Sequence, residues 1–397
     1  MATISAVIVT IDVTWRCLSQ MLMADERYRQ QAMAVWSGTS MAPIFAGISQ
    51  HGFPFAATEM SHFGGGGGAR TYDDGVDTAG IVFNTTPNMP NIEDQESEYP
   101  VLYLFRRHLR DSGGPGRFRG GRSAELAYTA HRSPDNRLEG LFAGTGAEMP
   151  NAIGVGGGMP GAAIRIARVL RTDIADRMST GKPLPDRLND IEGSLEILPP
   201  KHTRSAMDLG DVWYHSWQAG GGYGDPLRRD PERVAMDVVR EAVSPQAALE
   251  IYGVVMKEEG LYDPKATEAR RSALRRERLQ QSVVPSPGDA AISFAGMGRR
   301  SVAETLVIDF DKDAVSCGEC GHVHCRPQDN LLEHLREVNA PLNAAGPVRG
   351  EDYDRGRFRL RQLCCSACGA LVDVQVALED APRPYFRIDN WPAEAAS

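Results

Sequence analysis

The chain has 397 residues and a formal net charge of −9, which argues against a nucleic-acid partner because phosphate binding normally needs a basic surface. Apolar residues make up 42% of the sequence, which is enough for a packed core, and the length favours two or three domains. Because no apolar run approaches about 18 residues, the sequence predicts no membrane-spanning helix.

The N-terminal segment ISAVIVTIDV, residues 4–13, is rich in Val and Ile, which suit the pleat of a buried strand. It lacks the basic region and the small-residue cleavage site of a secretory signal peptide. We therefore expect a β-strand at this end of the chain and a cytoplasmic location.

The stretch WSGTSMAPIFAG, residues 36–47, is similar to the nucleophile motif of subtilisin-like proteases, with Ser40 in the nucleophile's place. A nucleophilic serine needs a general base and a carboxylate that orients the base. In the subtilisin-like order both precede the serine, yet the first histidine of this chain is His51. The residue that the family has between the Ala and the Pro is also missing. We predict that Ser40 is not a nucleophile and that the stretch is a small-residue turn.

Glycine punctuates residues 1–225, above all in runs at 64–68, 154–158 and 220–224. Short apolar segments lie between these runs, which predicts a β-rich body with long ordered loops. Two interpretations of the run at 64–68 remain open. Its amides could form a nest for a phosphate, carboxylate or bicarbonate, or the run could be a packed turn where chain segments cross.

Four charged residues follow the first glycine run and also allow two interpretations. They could position a substrate, or they could form a local salt-bridged turn. These residues are Arg70, Asp73, Asp74 and Asp77.

Helical patterns begin after the third glycine run. Asp230 and Ser244 each precede a proline, which is the pattern of a capping side chain followed by the first helical residue. Apolar residues at helical spacing follow both, so we predict two short amphipathic helices. The segment at 268–281 carries five arginines and two glutamates, which favours a solvated helix over a nucleic-acid-binding one. Residues 283–300 are predicted to be a linker.

Six of the seven cysteines follow residue 316, which favours metal ligation over a disulfide framework. CGECGH and CSACGA each contain a CxxCG knuckle, in which two thiolates face one point and the glycine accepts the tight geometry that follows. The four sulfurs match tetrahedral zinc, and a site closed by four thiolates is structural because it leaves no position for water. The predicted ligands are Cys317, Cys320, Cys365 and Cys368.

Other potential ligands lie close to the knuckles. Cys364 or Cys325 could replace one of the four cysteines, while His322 and His324 could lie around the site or be exposed loop residues. Residues 301–389 hold 15 acidic against 10 basic side chains, which favours a protein-docking module over nucleic-acid binding.

Four segments, in order, resemble the hydantoinase B family, which includes the alpha subunits of acetone carboxylase-type enzymes. They are HFGGGGGARTYDDGVDTAG (62–80), TPNMPNIEDQESEYPV (86–101), LRDSGGPGRFRGG (109–121) and GGGYGDPLRRDPERVAMDVVREAVSPQAALEIYGVVM (220–256). The resemblance covers about residues 13–260. Chains of this family are usually longer at the N-terminus, where an Asn-Asp-Pro-Tyr motif resembles part of a divalent-metal site. Since that motif is not found here, the chain resembles the C-terminal half of such a family member, and we expect the catalytic metal on another chain.

The cysteine-rich C-terminus resembles the zinc-binding gamma-type subunits of acetone and acetophenone carboxylases. The combination implies a biotin-independent ketone carboxylase subunit. In that reaction a hydantoinase A-like partner uses ATP to activate the ketone and bicarbonate, which then form a 3-oxo acid. Two alternatives are a subunit of an ATP-dependent hydantoinase or 5-oxoprolinase, and a non-catalytic zinc-containing assembly subunit.

The sequence thus predicts a mixed α+β fold with three parts. A β-rich, glycine-rich body spans residues 1–260, a helix and linker span 261–300, and a small zinc-ribbon-like domain spans 301–397. The resemblance places ATP and Mg or Mn on partner subunits. Those partners are a hydantoinase A-like nucleotide-binding chain and a chain carrying the missing metal segment, so we expect a hetero-oligomer. Catalytic residues are not identified.

Overall fold

A computed structural model describes residues 2–37, 43–59, 64–82, 89–134, 137–282 and 298–383, which are called the described residues below. Ser40 lies outside them, so its interpretation stays a prediction.

The helices are α1 (Ala2–Met23), α2 (Ile92–Glu98), α3 (Ile174–Thr180), α4 (Pro231–Val239), α5 (Pro245–Glu250) and α6 (Pro264–Gln281). The strands of the first half are β1 (Ile44–Ile48), β2 (Pro54–Thr58), β3 (Val101–His108), β4 (Ala124–Ala130), β5 (Arg137–Ala143), β6 (Arg165–Leu170), β7 (Ser194–Ile197), β8 (Lys201–Asp208) and β9 (Val212–Ser216). Those of the C-terminal region are β10 (Arg299–Ala303), β11 (Leu306–Asp309), β12 (Ala314–Cys317), β13 (Val323–Cys325), β14 (Arg336–Ala340), β15 (Phe358–Cys364) and β16 (Leu371–Leu378).

Two sheets pack face to face in the first half of the chain. One has the strand order β3-β4-β9-β6-β7 and the other β2-β1-β5-β8. Their facing sides share one hydrophobic core, with Leu126 and Trp213 from the first sheet and Phe45 and Phe142 from the second. Every residue of the central strands β4 and β9 is buried, because sheet neighbours flank both strands and layers cover both faces.

The C-terminal region forms two smaller sheets, with orders β10-β11-β12-β13 and β14-β15-β16. They share a core that includes Ile308, Val315 and Leu363. The pairings of the named strands are antiparallel throughout the described residues. The predicted mixed fold, a β-rich body with few helices and a small cysteine-containing region, is confirmed. The predicted boundaries at residues 260 and 300 stay predictions.

The strand predicted at residues 4–13 is wrong, because this segment belongs to helix α1. The 22 residues of α1 contain neither glycine nor proline and exceed the usual length of a strand. The buried side chains Ile8, Asp12, Ser19 and Met23 fall at helical spacing on one side. Intrahelical hydrogen bonds satisfy the backbone here, whereas the sheets described above offer this segment no pairing strand.

The sequence predicted no membrane-spanning helix, yet residues Ala6–Met23 of α1 are long and apolar enough to cross a bilayer, by length and composition alone. The mean hydropathy of this window is 1.3, and 22% of it is buried within the protein. A single such helix near the N-terminus is weak evidence, since core helices and signal sequences have the same composition.

The two predicted capped helices are confirmed as α4 and α5. The carboxylate of Asp230 accepts a hydrogen bond from the N–H of Glu232, and the hydroxyl of Ser244 accepts one from the N–H of Ala247. Both caps precede proline at the first helical position, where the absent N–H has no intrahelical partner.

The arginine-rich segment is helical, as predicted, but several of its arginines contact the protein rather than solvent. Arg271 donates to the carbonyl oxygen of Tyr252 at 3.1 Å. Arg278 donates to the carboxylate of Asp225 at 2.9 Å and to the carbonyl oxygen of Gly369, in the C-terminal region, at 3.3 Å. Helix α6 therefore fastens the body to the C-terminal region, which charge composition alone did not reveal.

Candidate functional site

The three glycine runs meet where chain segments cross with almost no space between their backbones. A Cβ added to Gly66 would lie 1.9 Å from the carbonyl oxygen of Gly121, and one added to Gly220 would lie 1.8 Å from that of Gly67. Real Cβ atoms do not approach backbone so closely, so glycine is required by the crossing itself. This arrangement is called the glycine crossing below.

The amides of the glycine crossing are used to join its segments. The N–H of Gly67 donates to Val76 at 2.8 Å, that of Gly121 to Gly67 at 2.8 Å, and that of Gly220 to Gly121 at 3.0 Å. The N–H of Gly66 donates to Gln218 at 3.1 Å. Because carbonyl oxygens of other segments already accept from these four amides, none of the four is available to an anion. The hydrogen bonds and the close backbone contacts favour the packed crossing of chains over the nest.

The three aspartates after the first run form salt bridges, as the second interpretation predicted, but their arginine partners belong to distant segments, so the bridges are not local. Asp74 makes a bidentate contact with Arg229 at 2.6 and 2.7 Å, and Arg229 is 1% exposed. Asp77 contacts Arg119 and Arg122. Burial raises the pKa of Asp77, but the two guanidinium groups outweigh it and hold the pKa at about 2. These carboxylates are therefore ionised structural partners at neutral pH.

A buried histidine–glutamate pair lies next to the glycine crossing. Glu59 follows β2 and precedes the first glycine run, whereas His215 lies on β9 shortly before the third run. Both side chains are 0% exposed, and Nε2 of His215 is 3.7 Å from Oε2 of Glu59. The hydroxyl of Tyr103 donates to Oε1 of Glu59 at 3.2 Å.

The imidazole of His215 stands among aromatic rings without a hydrogen bond. Its centroid is 4.9 Å from the ring of Trp217 and 5.8 Å from that of Tyr128. Neither of its ring nitrogens has a hydrogen-bond partner among the described residues, and Nε1 of Trp217 also lacks one there. Buried polar groups of this kind are costly and often belong to functional sites. A carboxylate beside an imidazole can also move a proton, as in general acid–base catalysis.

Sequence reasoning missed this pair. Glu59 and His215 lie far apart in the chain and belong to no short motif. The signal that could have found it was the alternation in VWYHSW, which places Trp213, His215 and Trp217 on one face of a strand. A histidine between two tryptophans on the core-facing side of a strand is unusual for a residue that only packs in the core.

The four predicted cysteine ligands converge in the C-terminal region. Cys317 ends β12 and Cys365 follows β15, while Cys320 and Cys368 lie in the turns that come next. Their sulfur atoms all lie within 4.8 Å of one another. The glycines after the knuckles, Gly321 and Gly369, have φ angles of 73° and 71°, the left-handed geometry that the motif predicted.

The sulfur positions fit a tetrahedral metal ion. With Zn–S bonds of about 2.3 Å, the sulfurs of a tetrahedral site lie about 3.8 Å apart. The Sγ atoms of Cys317 and Cys368 are 3.8 Å apart, as are those of Cys320 and Cys365. Four thiolates are soft ligands that favour zinc over Mg²⁺ or Mn²⁺. The cluster can therefore hold one metal ion, for which zinc has the matching chemistry.

The neighbouring cysteines lie outside this cluster. Cys325 and Cys364 pack in two hydrophobic clusters, and burial raises the pKa of Cys325 to about 12 and that of Cys364 to about 11. Nε2 of His322 is 3.0 Å from the hydroxyl of Ser366, so this histidine links the first knuckle to the second.

Known proteins are similar to this chain over more than half of its length. A family profile described as Hydantoinase B/oxoprolinase matches residues 1–226. The chain is 31% identical over 230 residues to the acetophenone carboxylase delta subunit of Aromatoleum aromaticum, a match that covers 55% of this chain and 34% of the relative. It is 28% identical over 285 residues to the acetone carboxylase alpha subunit of Xanthobacter autotrophicus, covering 68% of this chain and 36% of the relative. This chain therefore spans about a third of the length of these relatives.

Two further matches extend the comparison. The beta subunit of the caprolactamase of Pseudomonas jessenii is 30% identical over 183 residues, covering 46% of this chain and 28% of that relative. A nucleotide-free structure of acetone carboxylase, an enzyme of ATP-dependent acetone carboxylation, matches with a TM-score of 0.58 and 26% identity. That match covers 68% of this chain and 38% of the solved chain.

Proposed function

Because this chain belongs to the Hydantoinase B/oxoprolinase family, we propose that it is a subunit of a biotin-independent, ATP-dependent ketone carboxylase that makes a 3-oxo acid from a ketone and bicarbonate. Its relatives are subunits of carboxylases and of a caprolactamase, which supports an enzyme-subunit role of the carboxylase or amidase type.

One observation carries the choice of ketone carboxylation: a four-cysteine cluster is packed against a hydantoinase B-type body. Asp225, directly after the third glycine run, binds Arg278 of α6 and the N–H of Leu371, which begins β16 just after the second knuckle. The cysteine-rich segment resembles the gamma-type subunits of acetone and acetophenone carboxylases, whereas the glycine segments alone also suit ring-opening hydrolysis.

The second candidate is an ATP-dependent amidase subunit that opens a cyclic amide. The match to the beta subunit of caprolactamase supports it. Both reactions begin with a polarised carbonyl group, so the body alone does not separate them.

The proposal includes cofactors and partners. We place structural zinc on the four cysteines, and ATP with Mg or Mn on companion subunits of a cytoplasmic hetero-oligomer. The companions are a hydantoinase A-like nucleotide-binding chain and a chain carrying the part of the family fold that this chain does not match. We expect the isolated chain to be inactive, because the matched part is only about a third of the length of the carboxylase relatives.

The chain's own contribution follows from its geometry. The glycine crossing is a rigid, closely packed core, which suits a site that must exclude water because activated bicarbonate hydrolyses readily. The buried Glu59–His215 pair, with Nε2 and Oε2 3.7 Å apart, supplies a carboxylate and an imidazole that can exchange a proton.

The decisive assay uses the complex of this chain with its companion subunits. Labelled bicarbonate and Mg-ATP are supplied with acetone or with acetophenone, and the product is analysed for label in a 3-oxo acid. Avidin should not inhibit the reaction. If ketones fix no label while caprolactam, hydantoin or 5-oxoproline stimulates ATP hydrolysis, the amidase candidate replaces the carboxylase.

A further inference from the structure

Helix α1 turns polar groups toward the protein and apolar groups away from it. Its inner stripe contains Ile8, Asp12, Ser19 and Met23, which are 0–6% exposed. Two of these four residues are polar, and both carboxylate oxygens of Asp12 lack a hydrogen-bond partner among the described residues. An amphipathic helix on the surface of a soluble protein normally has the opposite orientation.

The outer face of α1 is apolar and uncharged. Its large exposed side chains, with their exposed fractions, are Val7 (46%), Val9 (50%), Val13 (59%), Leu18 (51%) and Met21 (69%). Val9, Val13, Cys17 and Met21 repeat every fourth residue and form one stripe along the helix. The other exposed residues between positions 6 and 21 are Ala, Thr and Gln, so this described part of the face carries no charge. Contiguous apolar surface of this kind marks an interaction site.

A lipid bilayer fits this face poorly. The hydroxyl of Ser19 donates to the carbonyl oxygen of Met33 at 2.6 Å, and Arg16 lies 3.6 Å from Asp373, so the helix is fastened lengthwise to the protein. It cannot span a membrane while these contacts persist. Helices that lie on a membrane usually flank their apolar face with Lys and Arg, and the exposed face of α1 has neither.

A second copy of the chain is also a poor occupant. The stripe from Val9 to Met21 extends over about 20 Å of helix, at 1.5 Å per residue. Stable interfaces bury roughly 1,200 Å² or more, so one pair of these helices would need further contacts to hold two copies together. A partner whose apolar surface extends beyond one helix supplies such contacts.

We propose that the outer face of α1 is a docking surface for a companion subunit that presents an uncharged, apolar surface. The companion is the chain carrying the part of the family fold that this chain does not match, so the inference rests on the hetero-oligomer of the proposed function. Helix α1 lies inside the family match at residues 1–226, and the relatives devote about two-thirds of their length to sequence outside the matched part. In those longer chains, the remaining fold is available to cover this segment.

Cys17 provides a direct probe because it is exposed and lies on the stripe itself. The chain is treated with a maleimide, alone and after co-expression with its companion subunits, and labelling of the Cys17 peptide is followed by mass spectrometry. We expect assembly to slow labelling by at least about tenfold, since thiol reactivity requires exposure. The wild-type chain suffices for this readout, so it does not depend on variants that fold.

A charge-insertion pair tests the same surface. Val13→Glu with Met21→Glu should abolish assembly, whereas Leu195→Glu with Leu209→Glu should leave it intact. The control leucines are similarly exposed, at 53% and 54%, but lie near β7 and β9. Circular dichroism of both variants checks that the fold is retained.

The experiments distinguish a failure of the docking surface from a failure of the proposed reaction. If the complex carboxylates a ketone while Cys17 remains fully reactive, the docking surface is wrong and the reaction stands. If Cys17 is protected but no ketone is carboxylated, only the reaction fails. Three results overturn the docking inference: failure to assemble with any companion, concentration-dependent dimers of the isolated chain that protect Cys17, and binding to vesicles of phosphatidylcholine and phosphatidylglycerol that the glutamate pair abolishes.

Discussion

The carboxylate of Asp225 accepts a hydrogen bond from the backbone N–H of Leu371, with a donor–acceptor distance of 2.9 Å. Asp225 directly follows the third glycine run, and Leu371 lies three residues after the last cysteine of the second knuckle. The same carboxylate accepts from Arg278 of α6 at 2.9 Å and from the N–H of Leu227 at 3.0 Å. Burial raises the pKa of Asp225, but Arg278 and these N–H donors hold it below its usual range. One buried anion thus joins the glycine crossing, α6 and the cysteine cluster.

We predict that Asp225→Ala destabilises the protein and loosens the cysteine cluster. The substitution leaves Arg278 buried without its partner, which costs about 3–5 kcal/mol in the free energy of unfolding. Urea denaturation measures this loss, and the rate at which a chelator removes bound metal should rise. Asp311→Asn, at an exposed position, is the matched control and should change neither quantity. Unaltered stability in Asp225→Ala would show that the contact is dispensable.

We predict one zinc ion per chain, bound by Cys317, Cys320, Cys365 and Cys368. Structural zinc sites contribute roughly 10–16 kcal/mol of apparent binding free energy in small domains. Chelation should therefore unfold the C-terminal region, and elemental analysis of the purified chain should find stoichiometric zinc. The double variant Cys320→Ser and Cys365→Ser should lose the metal.

The matched control for the zinc prediction replaces the two cysteines outside the cluster. Cys325→Ser with Cys364→Ser should retain stoichiometric zinc, because these side chains pack in hydrophobic clusters. If the control variant loses zinc while the Cys320→Ser and Cys365→Ser variant keeps it, the ligand assignment is wrong.

Sequence alone identified the features that depend on local chemistry. The two knuckles combine sulfur chemistry with short-range turns, so their spacing was sufficient to predict four converging ligands. The starts of α4 and α5 were predictable for the same reason, since a cap and a proline act within one helical turn. The sequence allowed a salt bridge at Asp74 but did not identify its partner, because Arg229 is distant in sequence.

The features that sequence missed depend on contacts between distant segments. The Val and Ile content of α1 favoured a strand, but propensity is a weak prior that helix length and tertiary packing override. Glu59 and His215 become neighbours only when two sheets pack together. The glycine runs indicated close approach, yet only the fold showed that backbone rather than an anion occupies the space.

We predict that Gly220→Ala is far more destabilising than an ordinary glycine substitution. Its new Cβ would lie 1.8 Å from the carbonyl oxygen of Gly67, so two backbones must move apart. We expect a loss of more than about 4 kcal/mol, or failure to fold. Gly181→Ala is the control: it has open space around its Cβ but a φ of 65°, and should cost only about 1 kcal/mol. Equal losses in thermal denaturation would contradict the role of the crossing.

We predict that Glu59→Gln lowers activity while the fold is retained. The amide keeps an oxygen that accepts from Tyr103, but it cannot exchange a proton with His215. Turnover of the assembled complex should fall at least about tenfold if the pair transfers a proton. Glu125→Gln is the matched control, because Glu125 is also buried and accepts from Tyr214 at 2.7 Å. Full activity in Glu59→Gln would assign the pair to packing alone.

The last prediction concerns the pH dependence of stability conferred by Asp12. Burial raises the pKa of this carboxyl from 3.8 to about 8, so the folded protein holds a proton that the unfolded chain releases near pH 4. The stability linked to this group is therefore fully present below about pH 4 and is lost progressively as the pH rises to about 8. At 1.36 kcal/mol per pKa unit, the loss reaches at most about 6 kcal/mol. Asp12→Asn should match the wild type at pH 4 and exceed it increasingly up to pH 8 in urea denaturation, whereas the exposed control Asp311→Asn should follow the wild type throughout. A constant difference between Asp12→Asn and the wild type across this range would show that Asp12 does not titrate as its burial requires.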